Sequence, residues 1–242
     1  MDYVLFTAFL VGGATILSGG VGLIFGRINN KFMDSLLLLA AGIMLSASVV
    51  NLILPSVEIG GVLTSIFGIF IGAFLVNSID VFMPLIYFPI DRAENTKWRS
   101  SVLFVLAIAI HNLPEGIAAG VGLLTGESTD GLVLATAIAL QNLPEGIIVT
   151  IAMLEARTRP IVAFLVSAFT GVVEIIGTFI GFCAVGISSA LLPFALAIAG
   201  GAMLYVIVEE MIPDSKSEGV KVSSGYFFIG GFSLMLIIDS LI

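Results

Sequence analysis

Cysteine, histidine and charge are all scarce in this chain, and each shortage closes off a class of function. A single cysteine, Cys183, permits neither an intrachain disulfide nor a Cys-rich metal cage. A single histidine, His111, cannot supply the two histidines four apart on one helix that mark an intramembrane metalloprotease, so an enzyme of that kind is excluded. Charged residues make up 11% of the 242 positions, where a soluble domain carries about a quarter. With nine Lys and Arg against seventeen Asp and Glu, the formal charge is −8, and nucleic acid is not an expected partner. No polar stretch is long enough to fold as a separate soluble module.

What fills the chain is apolar: 59% of residues are hydrophobic and mean hydropathy is +1.19. A bilayer is therefore the expected solvent. The opening MDYVLFTAFLVGG lacks a basic n-region and runs straight into an apolar span, so it reads as a retained first helix. About 20 mostly apolar residues cross a membrane. That length gives eight spans, at 3–26, 34–57, 60–88, 100–124, 130–154, 160–185, 190–211 and 224–242. The expected fold class is an all-α, multi-pass integral membrane protein in which residues 1–242 form a single transmembrane domain.

Orientation follows from the cations, because Lys and Arg accumulate in cytoplasmic loops. Arg27 and Lys31 lie between spans 1 and 2, Arg92, Lys97 and Arg99 between 3 and 4, Arg157 and Arg159 between 5 and 6, and Lys216 and Lys221 between 7 and 8. All nine fall on one side. The opposite side carries acids, Asp2, Glu58, Glu127 and Asp130. Both termini are then expected outside the cytoplasm, and the host is expected to be the cytoplasmic membrane.

Spans 4 and 5 hold an internal repeat thirty residues apart, AIAIHNLPEGI at 107–117 and AIALQNLPEGI at 137–147, which differ at two of eleven positions. Successive spans run in opposite directions, so the copies are antiparallel, and a site between inverted repeats is a recurrent transporter plan. His111, Asn112 and Glu115 project from nearly one face of span 4; Gln141, Asn142 and Glu145 do the same on span 5. Pro114 and Pro144 each remove an N–H donor, which leaves the carbonyls of Ile110 and Leu140 weakened beside these polar groups. Glu174 sits near the middle of span 6, in TGVVEIIG. Left without partners, three acids at such depth would carry a penalty on the order of 8–10 kcal/mol. No Lys or Arg lies inside a span to offset it, so protons or bound cations must. Carboxylates with one imidazole and amide oxygens suit a divalent transition metal such as zinc, iron(II), manganese or cadmium. Two glutamates on facing helices have the reach to bridge two ions.

HNLPEG on one helix followed by NLPEG on the next resembles the ZIP (Zrt- and Irt-like protein) family of metal transporters, and QNLPEG resembles its GufA-like branch. AAGIMLSASVVNLILPSVE at 40–58 and AGGAMLYVIVEEMIPDS at 199–215 are similar to the family's second and seventh helices. The resemblance implies one metal site from His111, Glu115, Gln141 and Glu145, with Met44 beside it. It implies a second from Asn112, Asn142 and Glu174, sharing Glu115 and Glu145. Asn51 and Glu58 then mark the outer approach and Glu209 and Glu210 the cytoplasmic exit. It also implies an inner bundle of helices 2, 4, 5 and 7, a homodimer in lipid, and metal as substrate, with no cofactor. Gln141, Asn142 and Glu209 stand where many relatives carry His, Asp and His, and the chain has no His-rich loop.

The function expected is therefore transport of divalent metal into the cytoplasm, zinc foremost, with affinity weakening as pH falls because the ligands must be deprotonated. Two alternatives compete with it. The acids can serve as a proton or sodium relay, or the protein can bind metal without moving it. Asn51, Asn77 and Ser46 taken singly read equally well as interhelical hydrogen-bonding groups, and Asp80 and Asp239 read as structural.

Overall fold

The computed structural model describes residues 2–26, 30–87, 112–124, 128–155, 157–187, 189–212 and 225–241. All regular structure among them is helical. Helix α1 is Asp2–Phe25, α2 is Asn30–Ala47, and a π turn, Ser48–Ile53, carries α2 into α3, Leu54–Tyr87. Helix α4 covers 112–122. Helices α5, Ser128–Glu155, and α6, Pro160–Ile187, follow. A short 3-10 turn at Ser189–Leu191 leads into α7, Leu192–Val206, which ends in a second π turn, Ile207–Met211; α8 is Gly225–Leu241. Five stretches among the described residues are long and apolar enough to cross a membrane, and one of them, Lys31–Ser78, is 48 residues long, about twice what a crossing needs. The part of the fourth expected span before residue 112 lies outside the described residues.

The double-length stretch is broken at Gly61, whose backbone takes φ 78° and ψ 161°, a conformation open to glycine and not to residues with a Cβ. The break folds the chain sharply back. Ser56 Oγ and Ser65 Oγ lie 2.8 Å apart, whereas nine residues of straight helix would separate them by about 13.5 Å. Ser56 also donates to the Pro193 carbonyl at 2.6 Å, which ties the bend to the start of α7.

The two π turns share a cause. In each, the residue closing the turn donates its N–H five positions back, Leu54 to Val49 and Ile212 to Ile207. In each the next residue is a proline, Pro55 or Pro213. A proline ring crowds the carbonyl four residues before it, and widening the turn by one residue moves that carbonyl aside. Asn51 lies on the first widened turn and Glu209 and Glu210 on the second.

Packing falls into two groups. α1 lies against α5 and α6, while α2 packs on α8 and α3 on α7; α2 and α5 join the groups. The largest apolar core is drawn mainly from α2, α4, α5 and α7, and includes Met44, Ala118, Ile138, Leu196 and Met203. Helices α4 and α6 meet backbone to backbone: Gly116 and Gly120 face the carbonyls of Glu174 and Thr178, and Gly177 and Gly181 face those of Leu113 and Ile117. A four-residue spacing of glycines on both partners is what lets membrane helices approach this closely.

Candidate metal centre

The described polar residues of the repeat are gathered in the interior. Asn112 and Glu115 of α4, Gln141, Asn142 and Glu145 of α5, and Glu174 at the centre of the 28-residue α6 are all buried, as is Met44 of α2. Glu115 stands beside Gln141 and within electrostatic reach of Glu145 and Glu174. Three helices thus bring three carboxyl groups toward one region. Pro144 is accommodated inside α5 with helix continuing on both sides. Leu140 therefore lacks the N–H partner that another residue at 144 would supply.

Glu174 is the best-connected of the acids. Its Oε1 accepts from Asn112 Nδ2 at 2.5 Å and from Thr15 Oγ1 at 2.7 Å, and its Oε2 accepts from Asn142 Nδ2 at 2.6 Å. Asn142 Nδ2 also approaches the Val11 carbonyl at 3.3 Å, and Ser18 Oγ donates to the Asn142 carbonyl at 3.2 Å. Donors from α1, α4 and α5 therefore converge on a carboxylate of α6.

Glu115 is arranged differently. Neither of its carboxylate oxygens meets a hydrogen-bond donor among the described residues, nor do Asn112 Oδ1, Asn142 Oδ1 or either polar atom of Gln141 find a partner there. A buried polar atom left in this state costs about 1–3 kcal/mol. Acceptors dominate the set: five of these six atoms are oxygens, and the sixth is the Gln141 amide nitrogen. An excess of buried acceptors is the chemistry a cation completes. Among the described residues no three His, Cys, Asp or Glu side chains form a ready-made metal cage. His111 precedes Asn112 and lies outside the described residues.

The remaining expected residues are dispersed. Asn51 is half-buried on the first π turn with its Nδ2 unpartnered among the described residues, and Ser46 Oγ is in the same condition. Glu58 is exposed three residues before the Gly61 break, and Glu209 is exposed on the second π turn; the side chains of Glu210 and Asp80 lie outside the described residues. Asn77 takes the bland role, accepting from Tyr205 Oη at 2.9 Å across α3 and α7. Thr15 is not among the residues expected from the sequence. Its signal was present in α1, whose buried positions Val4, Ala8, Val11, Thr15, Ser18 and Gly22 recur every three or four residues and turn from apolar to hydroxyl-bearing and small.

Residues 91–239 match the family model described as Zip, ZIP Zinc transporter. The chain is 46% identical to "Zinc transporter GufA" of Myxococcus xanthus over 60% of this chain and 57% of that protein. Against "Zinc transporter ZIPB" of Bordetella bronchiseptica it is 35% identical over 94% of this chain and 77% of the relative. Against "Zinc transporter ZupT" of Chlorobaculum parvum the identity is 30% over 98% and 97% of the two chains. The match with the Myxococcus protein spans just over half of that relative's length.

Proposed function

We propose, since this chain belongs to the ZIP zinc-transporter family, that it moves divalent transition metal, zinc foremost, across a membrane and into the cytoplasm. ZIP proteins are integral membrane transporters, a family of transporters rather than of enzymes. The metal is substrate, and no cofactor is invoked. One observation carries the reading: Glu115 is fully buried with both carboxylate oxygens unpartnered among the described residues, beside Gln141 and facing two further acids. An anion in such a place is stabilised by a cation that arrives and leaves.

The proposed ligands are His111, Glu115, Gln141 and Glu145, with the Met44 side chain beside them. Asn112, Asn142 and Glu174 are buried next to these ligands and joined to one another by hydrogen bonds. Glu58, exposed at the Gly61 break, and Asn51 form the proposed approach, and Glu209 with Glu210 the exit. In this arrangement the chain crosses the membrane eight times, with the Gly61 break as one extracytoplasmic turn and Arg157 and Arg159 in a cytoplasmic loop. The outer face of α3, where Leu63, Phe67, Phe70 and Phe74 are exposed, suits lipid and a second copy of the chain.

The test is uptake in proteoliposomes of the purified chain, measured for zinc, iron(II), manganese and cadmium with and without a pH gradient. Saturable zinc uptake is expected. Proton or sodium flux that needs no transition metal would replace this reading with an ion relay, and tight zinc binding without flux would leave a metal-binding protein.

A further inference from the structure

The hydrogen bonds at Glu174 assign it a task other than holding an ion, and this inference rests on the transport reading of the same site. We infer that Glu174 is a positioning residue: it fixes the Asn112 and Asn142 amides so that their oxygens face away from it, toward a single ion held with Glu115.

An ionised carboxylate only accepts hydrogen bonds, and an amide has one end that donates and one that accepts. With Asn112 Nδ2 at 2.5 Å and Asn142 Nδ2 at 2.6 Å from Glu174, turning either amide over against the ionised carboxylate would press two oxygens together at hydrogen-bond distance, and turning both would do so in either protonation state. The orientation of both asparagines is therefore set by Glu174. Their Oδ1 atoms must then point elsewhere, and both are buried without a donor among the described residues. Thr15 completes the arrangement by donating to Glu174 Oε1 at 2.7 Å. Three donors thus fill most of the roughly four lone-pair sites of the carboxylate, two of them on Oε1 and one on Oε2.

The residue at 142 decides this. A carboxylate there would have no hydrogen to give Glu174, and the two acids would need a cation between them. The amide of Asn142 supplies the hydrogen itself, so no second ion is called for. Orientation of a ligand by a carboxylate behind it is a common device around protein-bound metals, and its loss weakens binding by about 10–100-fold. The chain binds one ion at its centre where the two-ion arrangement would bind two.

Equilibrium dialysis of the full chain in detergent with radioactive zinc decides the matter, with Glu115→Ala as the blank that subtracts zinc bound elsewhere. One Glu115-dependent zinc per chain is expected. Glu174→Gln keeps that one zinc but weakens it about 10–100-fold. Thr15→Val, which alters only a donor to Glu174, weakens it in the same direction by a smaller factor, and Thr15→Ser restores it. This series stands in should Glu174→Gln fail to fold. Two Glu115-dependent zinc ions, one of them lost in Glu174→Gln, would overturn the inference, as would affinity unmoved by Glu174→Gln and Thr15→Val. The transport reading fails by a different result, namely no Glu115-dependent zinc together with uptake that Glu115→Ala leaves intact.

Discussion

Gly116 lies so close to Glu174 that a Cβ placed on it would overlap the Glu174 carbonyl oxygen. The second copy of the repeat does the same with another helix: a Cβ on Gly146 would overlap the Thr15 carbonyl oxygen. The final glycine of each NLPEG thus presses one helix onto the backbone of a residue in the network, and those two residues are hydrogen-bonded to each other. Backbone cannot retreat as a flexible side chain can. Gly116→Ala and Gly146→Ala should each destabilise the fold by about 1–3 kcal/mol, the usual cost of overpacking. The check is the thermal midpoint in detergent, and both variants should lose zinc affinity as the Thr15 and Glu174 contact widens.

The bend at Gly61 leads to a second prediction. Gly61→Ala puts a Cβ on a backbone at φ 78° and should cost about 1–3 kcal/mol through conformation alone, as nothing lies within 4 Å to be crowded. Ser65→Ala removes one side of the Ser56 pair but leaves Ser56 its bond to Pro193, so a loss of about 1 kcal/mol is expected. Chemical unfolding of the two variants should rank them in that order.

Topology is tested by labelling. With the exposed Cys183 replaced by serine, Glu58→Cys in intact cells should react with a membrane-impermeant maleimide. Arg159→Cys should react only after lysis. Both positions are exposed, so a silent cysteine reports the wrong side of the membrane.

Much of this was legible in the sequence, for reasons that differ by element. Among the described residues the long apolar runs are helical; α6, read from the sequence as 160–185, runs Pro160–Ile187. The spans expected to end at 57 and begin at 60 are divided at Gly61, just past the expected gap, because that backbone conformation is open to glycine. The repeat named Asn112, Glu115, Gln141, Asn142 and Glu145, since polar side chains at helical spacing in an apolar run are too costly to bury unless they meet one another or an ion. Thr15 escaped because a lone hydroxyl in a membrane helix satisfies itself locally as a rule, and its partner Glu174 is 159 positions away. The π turns escaped too, although Pro55 and Pro213 within helical sequence were their signal. Which atoms of the two asparagines face Glu174 is a matter of three-dimensional hydrogen bonding, and no local pattern encodes it.

On the proposed reading, the buried carboxylates of α4 and α5 carry the metal across. Zinc uptake into proteoliposomes by Glu115→Gln and Glu145→Gln, which preserve shape and remove charge, tests it most directly. Uptake at the level of protein-free vesicles is expected from protein that still purifies as a folded species. Uptake at the wild-type rate in both variants would contradict it.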